Sequence, residues 1–296
     1  MMKGIILAAG KGTRLYPMNQ ITAKTLLPIY DKPMIYYPIS TMIEMGIKDL
    51  LLIVDSENKA IYQRIFGDGS QLGTSLKIIT QPVQRGIADA FILAEDFIGD
   101  DSVCLILGDN IFLPISFSMT KYFDPAKFTT GALIPAYRVS DPERFGVVEF
   151  DKDNNVISIE EKPEHPKSDC IVPGLYFYDN RVIDIAKQIE PSARGELEIT
   201  SVNQKYLEMR ELKVTPMHGV SWYDTGTPDS ICSAIQVCSS VRKCDRFIGF
   251  PEIAAYESGF IGLDQFEDLI PSVNSDYTSA LRSYLKAKSG LIDKED

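Results

Sequence analysis

The sequence predicts an α/β fold with a mostly parallel central sheet and helices on both of its faces. Three observations predict it. Four short, almost unbroken apolar runs, at 4–8, 49–54, 76–79 and 103–107, are separated by segments of helical periodicity. Strands covered on both faces read in this way, because no side of them alternates with solvent. The first run leads straight into a glycine-rich turn, Gly10-Lys11-Gly12, at the end of a strand, where open α/β sheets bind ligands. After about residue 130 the pattern changes to strands with hairpin signals, which reads as insertion into that frame.

The elements follow in order. Residues 4–8 form the first strand. Residues 33–45 read as a helix, with Pro33 near its first turn and Gly46 just past its end. Strands over 49–54, 76–79 and 103–107 alternate with helices over 57–66 and 86–97. Residues 131–139 are strand-like. Segments 146–150 and 156–160 flank Asp151-Lys152-Asp153-Asn154-Asn155, whose turn-forming side chains predict a hairpin. A further strand is expected over 172–178, and helices over 180–189, 196–209 and 228–241. From Phe250 onward the chain reads as amphipathic helix. No tandem repeat or low-complexity linker interrupts it, so residues 1–245 are expected to form one continuous unit. Residues 246–296 form a C-terminal helical extension, as an appended layer or an oligomer contact.

Lys and Arg total 30 against 41 Asp and Glu, a formal net charge of −11. Nucleic-acid binders need positive faces to displace counterions, so no nucleic acid is expected as a partner. Cations for any anionic ligand must be gathered locally. No apolar run approaches the ~18 residues of a membrane span. The lead into the first strand is too short for a signal peptide, and a cytoplasmic protein without membrane association is expected. The 5 cysteines include no Cys-x-x-Cys pair, which predicts reduced thiols. With 2 histidines, His165 and His218, chemistry built on a histidine base or a multi-histidine metal site is disfavoured.

The strongest single feature is Leu7-Ala8-Ala9-Gly10-Lys11-Gly12-Thr13-Arg14-Leu15-Tyr16-Pro17. Leu15 stands where a dinucleotide fingerprint would have its third glycine, and no Gly-Lys-Ser/Thr follows as in a Walker loop. Small residues let backbone N–H groups approach a phosphate, and Lys11 and Arg14 add charge. A tight surface turn with incidental charges is the alternative. Lys24 is a candidate for a second part of a polyphosphate, or a solvated surface residue. Asp109 ends the run Val103-Cys104-Leu105-Ile106-Leu107-Gly108 and so faces the ligand crevice. Magnesium takes one or two carboxylates plus substrate phosphates, whereas a turn aspartate is the plain reading. Asp224, in Trp222-Tyr223-Asp224-Thr225-Gly226-Thr227, is a ligand or an Asx-turn. Glu161-Lys162 pairs a carboxylate for hydroxyls with a lysine for phosphate, or forms an edge-strand salt cluster. Glu196 and Glu198 open a helix and suit its dipole. Trp222 alone reads as core.

Taken together, several segments resemble the sugar-phosphate nucleotidylyltransferases, from about Lys3 to Ala234. They are Gly10–Pro17 as quoted, Leu26-Leu27-Pro28-Ile29-Tyr30-Asp31-Lys32-Pro33, Phe66-Gly67-Asp68-Gly69-Ser70 and Leu107-Gly108-Asp109-Asn110. Further on are Asp141-Pro142-Glu143-Arg144-Phe145-Gly146-Val147-Val148-Glu149-Phe150, Gly195-Glu196-Leu197-Glu198-Ile199-Thr200 and Asp224-Thr225-Gly226-Thr227. The Gly-x-Gly-Thr-Arg loop marks the superfamily, and the longer segments point to its thymidylyl branch. The resemblance implies a Rossmann-like domain with sugar-binding β-hairpin insertions. It implies dTTP (or UTP) and glucose 1-phosphate as substrates, Mg2+ as cofactor and a homotetramer. Arg14 and Lys24 would bind the triphosphate, Lys162 the sugar phosphate, and Asp109 and Asp224 the metal; these five are the catalytic set. Leu7, Ala9, Gly10, Gly12 and Thr13, with Gln81, Gly86 and Asp109, would form the nucleotide site, Gln81 facing the pyrimidine edge. Gly146, Glu161 and Val172 would line the sugar pocket, with Trp222 near the phosphates.

The sequence departs from the thymidylyl pattern at several points. Ala9 and Lys11 replace Gly and Ser, Gln84-Arg85-Gly86-Ile87 replaces Pro-Asp-Gly-Leu beside the base, and Phe145 replaces Tyr. The chemistry is nevertheless coherent. A sugar 1-phosphate has a second pKa near ~6, so its oxygen is anionic at neutral pH and needs no general base. Positioning and charge neutralisation carry such a transfer. A non-catalytic sugar-nucleotide-binding subunit would be expected to have lost one of the five charged residues, and all are present. An NAD-type oxidoreductase fails on Leu15.

Overall fold

The computed structural model describes residues 1–115, 119–153, 155–244 and 246–292. Asn154, within the expected hairpin turn, and residues 293–296 of the extension lie outside them. A ten-stranded sheet runs through the molecule. Its parallel half consists of Ser102–Leu107, Met2–Ala8, Asp49–Val54 and Ser75–Thr80, in that spatial order. These are the four apolar runs of the sequence. Within Met2–Ala8, successive side chains point to opposite faces. Ile6 joins one core with Ile39 and Met42 of the Tyr36–Glu44 helix, and Ile5 joins the other with Ala90, Val182 and Val202. The sheet is thus buried on both sides.

Beyond Ser102–Leu107 the sheet becomes mixed. Leu175–Tyr178 lies antiparallel to Ser102–Leu107 and to Ala132–Arg138. Leu212–Pro216 joins Ala132–Arg138 in parallel. Cys170–Ile171 leads to the hairpin of Gly146–Phe150 and Val156–Glu161 at the far edge.

The structure corrects several boundaries; the helix expected over 196–209 begins at Ile199, with Glu198 at its N-cap and Glu196 outside it. The first helix begins at Tyr36, because Lys32–Pro33 pairs with Pro28–Ile29 as a two-residue strand. The helix expected over 86–97 is two short pieces, Asp89–Leu93 and Glu95–Ile98, and Gly86 precedes them at φ 109°. The strand expected over 172–178 is interrupted at Pro173-Gly174. Proline has no N–H to donate to a ladder, and the Gly174 N–H is diverted to Asn110 Oδ1 at 3.0 Å. The two-stranded Ile111–Pro114/Val220–Tyr223 ladder, with Phe112 opposite Trp222, was not expected; four residues are too few to display a period.

The extension supplies the helices Pro251–Glu257, Leu263–Asp268 and Asp276–Ile292. Phe250, Ile253, Phe266 and Leu281 share a core cluster with Ile6 and Met42. At its root Lys32 is buried against Asp31, Nζ to Oδ1 2.5 Å, with the Phe250 ring centroid 4.0 Å from the ammonium and Tyr277 at 5.6 Å. Burial lowers the Lys32 pKa, against the opposing pull of Asp31.

Candidate active site

The site is built where Met2–Ala8 and Ser102–Leu107 end. Gly108 closes the gap between them: a Cβ there would lie 3.0 Å from Ala8 Cβ, and its N–H donates to the Leu7 carbonyl at 2.8 Å. Asp109 therefore stands at the mouth of the parallel sheet, as its position in the sequence implied. Its Oδ2 accepts from Lys24 Nζ at 2.6 Å and its Oδ1 from Asn110 Nδ2 at 2.9 Å. Lys24 is 6 % exposed, which excludes the solvated reading, and also donates to the Asp224 carbonyl at 3.2 Å. Gly12, at φ 59°, lies over this lysine; a Cβ there would be 3.1 Å from Lys24 Cβ. One buried lysine thus ties the glycine loop, through its stem, to both candidate metal-binding segments, through its ammonium.

The Asx-turn reading of Asp224 holds, and the turn leaves its second oxygen in the site. Its Oδ1 accepts the Gly226 N–H at 3.2 Å in an Asx-type turn, and its Oδ2 accepts from Arg144 Nη2 at 3.0 Å. A Cβ on Gly226 would lie 2.6 Å from Arg14 Nη2 and 2.9 Å from Asp224 Oδ2, so the Arg14 guanidinium rests on that glycine beside the carboxylate. Thr225, fully buried at φ 40°, donates to the Asp109 carbonyl at 2.6 Å and fixes the two acids relative to one another.

Two cavities flank the glycine loop. One, of about 680 Å³, is lined by Arg14, Asp109, Lys162, Asp224, Trp222 and the expected sugar-side residues Gly146, Glu161 and Val172. The other, of about 620 Å³, is lined by Ala9, Gly10, Lys11, Asp55, Gln81 and Gln84. Thr13 belongs to both. On the sugar side Glu161 hydrogen-bonds Thr200 and meets Arg194 at 3.3 Å. Lys162, held at φ 43°, places Nζ 3.6 Å from Glu161, so the salt cluster and the pocket wall are the same residues. Trp222 is more than core filling. Its Nε1–H donates to Asn110 Oδ1 at 2.6 Å, and Phe145 and Tyr137 contact its ring at centroid distances of 5.3 and 5.7 Å.

On the other side, Gln81 is anchored by Asp89 at 2.9 Å, and Gln84 donates to the Ala9 carbonyl. Gly86 packs on the backbone of Leu197, where no Cβ would fit, and the Leu7 side chain packs into the second core. These two can offer a ligand their backbone alone. Sequence reasoning missed Arg144, Arg194, Asn110 and Thr225 as site residues. The available signal was that Arg144 and Arg194 each lie within two residues of a glycine in an otherwise acidic chain. Among the described residues no three His, Cys, Asp or Glu side chains gather to hold a metal.

Over residues 3–240 the chain matches the model of the nucleotidyl transferase family. The chain belongs to the nucleotidyl transferase family. Relatives of high identity are named glucose-1-phosphate thymidylyltransferase. One, from Neisseria gonorrhoeae, is 52 % identical over 88 % of this chain and 91 % of its own. Another, from Xanthomonas campestris, is 43 % identical over 98 % of both chains, so its similarity includes the extension. A solved structure of the same name from Bacillus anthracis, in complex with a sucrose, superposes with a TM-score of 0.74. It is 41 % identical and covers 80 % of this chain and 95 % of its own. The family places this nucleotidyltransferase among enzymes that generally use a divalent metal. No helix among the described residues is long and apolar enough to cross a membrane.

Proposed function

We propose that this enzyme transfers the deoxythymidylyl group of dTTP to glucose 1-phosphate, giving dTDP-glucose and pyrophosphate. The observation that carries the reading is the buried Lys24 ammonium bonded to Asp109 and the Asp224 carbonyl, two residues of the wall of the larger cavity, which shares Thr13 with the smaller one. Relatives at 52 % and 43 % identity named for this reaction supply the substrates.

The glycine loop and Gln81 bind the nucleoside side of the triphosphate; Arg14 and Lys24 neutralise its phosphates. Lys162, with Glu161 beside it, holds the sugar phosphate in the larger cavity. The sugar-phosphate oxygen, already anionic, attacks the α-phosphorus in line. A P–O bond to the sugar phosphate forms, the bond between the α-phosphorus and the bridging oxygen breaks, and pyrophosphate leaves with that electron pair. No proton has to move. The chain's part is alignment and charge neutralisation, which supply most of the acceleration in such transfers.

The donor set fits Mg2+. Asp109 and Asp224 offer hard oxygens, each already facing a cation, Lys24 or Arg144, and such an ion takes one or two protein carboxylates and completes its shell with phosphates and water. Asp109 and Asp224 would hold it, and when bound it supplies Lewis-acid stabilisation of the phosphate charge. UTP is the alternative nucleotide substrate, because uracil and thymine present Gln81 with the same N–H and carbonyl edge. A homotetramer with residues 246–296 as the oligomer contact, and a cytoplasmic location, belong to the same proposal; sedimentation of the purified chain tests the assembly.

The deciding experiment is a matrix of nucleoside triphosphates against sugar 1-phosphates, scored by pyrophosphate release with and without Mg2+. The pair dTTP and glucose 1-phosphate should rank first and require the metal. If it ranks among the worst pairs, the substrate assignment falls.

A further inference from the structure

We infer that Asp89 sets the base specificity of the nucleotide cavity by locking the Gln81 amide in one of its two orientations. The inference rests on the assignment of Gln81 to the nucleotide base made above. Asp89 is 1 % exposed and opens the Asp89–Leu93 helix. Its Oδ2 accepts from Gln81 Nε2 at 2.9 Å, and its Oδ1 accepts from Arg85 Nη2 at 2.6 Å. Gln81 itself is 7 % exposed and lines the smaller cavity.

An ionised carboxylate can only accept hydrogen bonds. The Gln81 amide oxygen therefore cannot face Asp89, and the amide nitrogen must. A carboxamide left to itself has two orientations related by a half-turn; here charge selects one. The edge left for a ligand carries Oε1 and the second N–H. That edge complements a base with a ring N–H beside a carbonyl, which describes thymine and uracil. Cytosine presents the inverse pattern, a bare ring nitrogen beside an amino group. A free glutamine meets it by rotating a half-turn, and Asp89 forbids the rotation. Arg85, whose side chain is 54 % exposed, supplies the counter-charge from the rim. Asp89 touches no ligand in this scheme; it is a positioning residue that acts through Gln81.

The substitution Asp89→Asn gives a sharp test. Arg85 can only donate, so it claims the oxygen of the new amide, whose NH2 then faces Gln81. Gln81 must turn its oxygen toward that NH2, and the presented pattern inverts. The ratio of kcat/KM for dTTP over dCTP should fall at least about tenfold, because a buried polar edge left mismatched is strongly discriminated against. The KM for glucose 1-phosphate should not move. In Arg85→Met/Asp89→Asn the amide is free to pair either way, and the ratio should lie between the two. A folded Asp89→Asn enzyme that still uses dTTP with an unchanged ratio overturns the proposal and leaves the reaction assignment standing. A wild-type enzyme that uses neither dTTP nor UTP overturns both. If Asp89→Asn does not fold, the wild-type protein decides. One of the two Gln81 side-chain amide protons, assigned by its loss in Gln81→Glu, should exchange with solvent much more slowly than the other. Equal exchange of the pair overturns the lock.

Discussion

Lys24 shows what a single residue contributes here. An ammonium that is 6 % exposed needs a counter-charge, and the Asp109 carboxylate at 2.6 Å supplies it. The same contact holds Asp109 where a phosphate-bound cation would use it. Removing an electrostatic stabiliser of this kind costs roughly 10²–10³ in rate, so Asp109→Asn, Asp224→Asn and Arg14→Ala should each lower turnover by at least ~10². Pyrophosphate release by purified Asp109→Asn at a near-normal rate would remove that residue from the catalytic set. Gly226→Ala tests the seating of Arg14 beside Asp224 without removing a charge. The new methyl would sit 2.6 Å from Arg14 Nη2 and 2.9 Å from Asp224 Oδ2; the exposed, flexible arginine tip moves away at little cost in stability, and the carboxylate has to give by only a few tenths of an ångström. Turnover should drop toward that of Arg14→Ala while the unfolding midpoint stays near wild type; a full-rate Gly226→Ala enzyme would show that the guanidinium is not held there for catalysis.

The elements were legible in proportion to their length and their neighbours. Met2–Ala8, Asp49–Val54, Ser75–Thr80 and Ser102–Leu107 could be read because burial on both faces leaves an unbroken apolar run. The acids at their ends could be read with them, since Asp109 takes its place from the strand before it. Ile111–Pro114, Val220–Tyr223 and the break at Pro173-Gly174 could not, because contacts distant in sequence determine them. The Gly174 N–H bonds to Asn110, 64 positions away. Arg144 and Arg194 escaped because the contacts that place them in the site, to Asp224 and Glu161, come from other segments, while their neighbours Asp141 and Glu198 read as ordinary local ion pairs. The Tyr36–Glu44 helix carries its own prediction. Burial of Glu44 at its end raises the carboxyl pKa from 4.5 to about 8. The folded protein thus keeps a proton that the unfolded chain releases. This contribution to stability is complete below 4.5 and is lost as pH rises to about 8. Urea unfolding of wild type and Glu44→Gln across that range should show the wild type losing stability relative to the variant as pH rises. Parallel curves would refute the assignment.

At the scale of the whole molecule, Lys32 sits where the extension meets the rest of the chain. Its ammonium, 2.5 Å from Asp31 and 4.0 Å from the Phe250 ring centroid, links the start of the chain to the root of the extension. Breaking one half of a buried pair costs roughly 3–5 kcal/mol, whereas replacing both halves by apolar groups is often neutral. Lys32→Met should therefore destabilise the protein by about 3 kcal/mol or more, and Lys32→Met/Asp31→Leu should recover most of that in chemical denaturation. If the double variant is no more stable than the single, an unpaired Asp31 charge is not the source of the loss. The two cavities that touch only at Thr13 have a kinetic consequence of their own. The glycine loop is a watershed: a change on the Lys11 and Gln84 slope should alter the Michaelis constant of the nucleotide alone, and one on the Glu161 and Lys162 slope that of the sugar phosphate alone. A side chain on the ridge can shift both, as can Arg14 and Asp109, which serve the nucleotide from the wall of the sugar-side cavity.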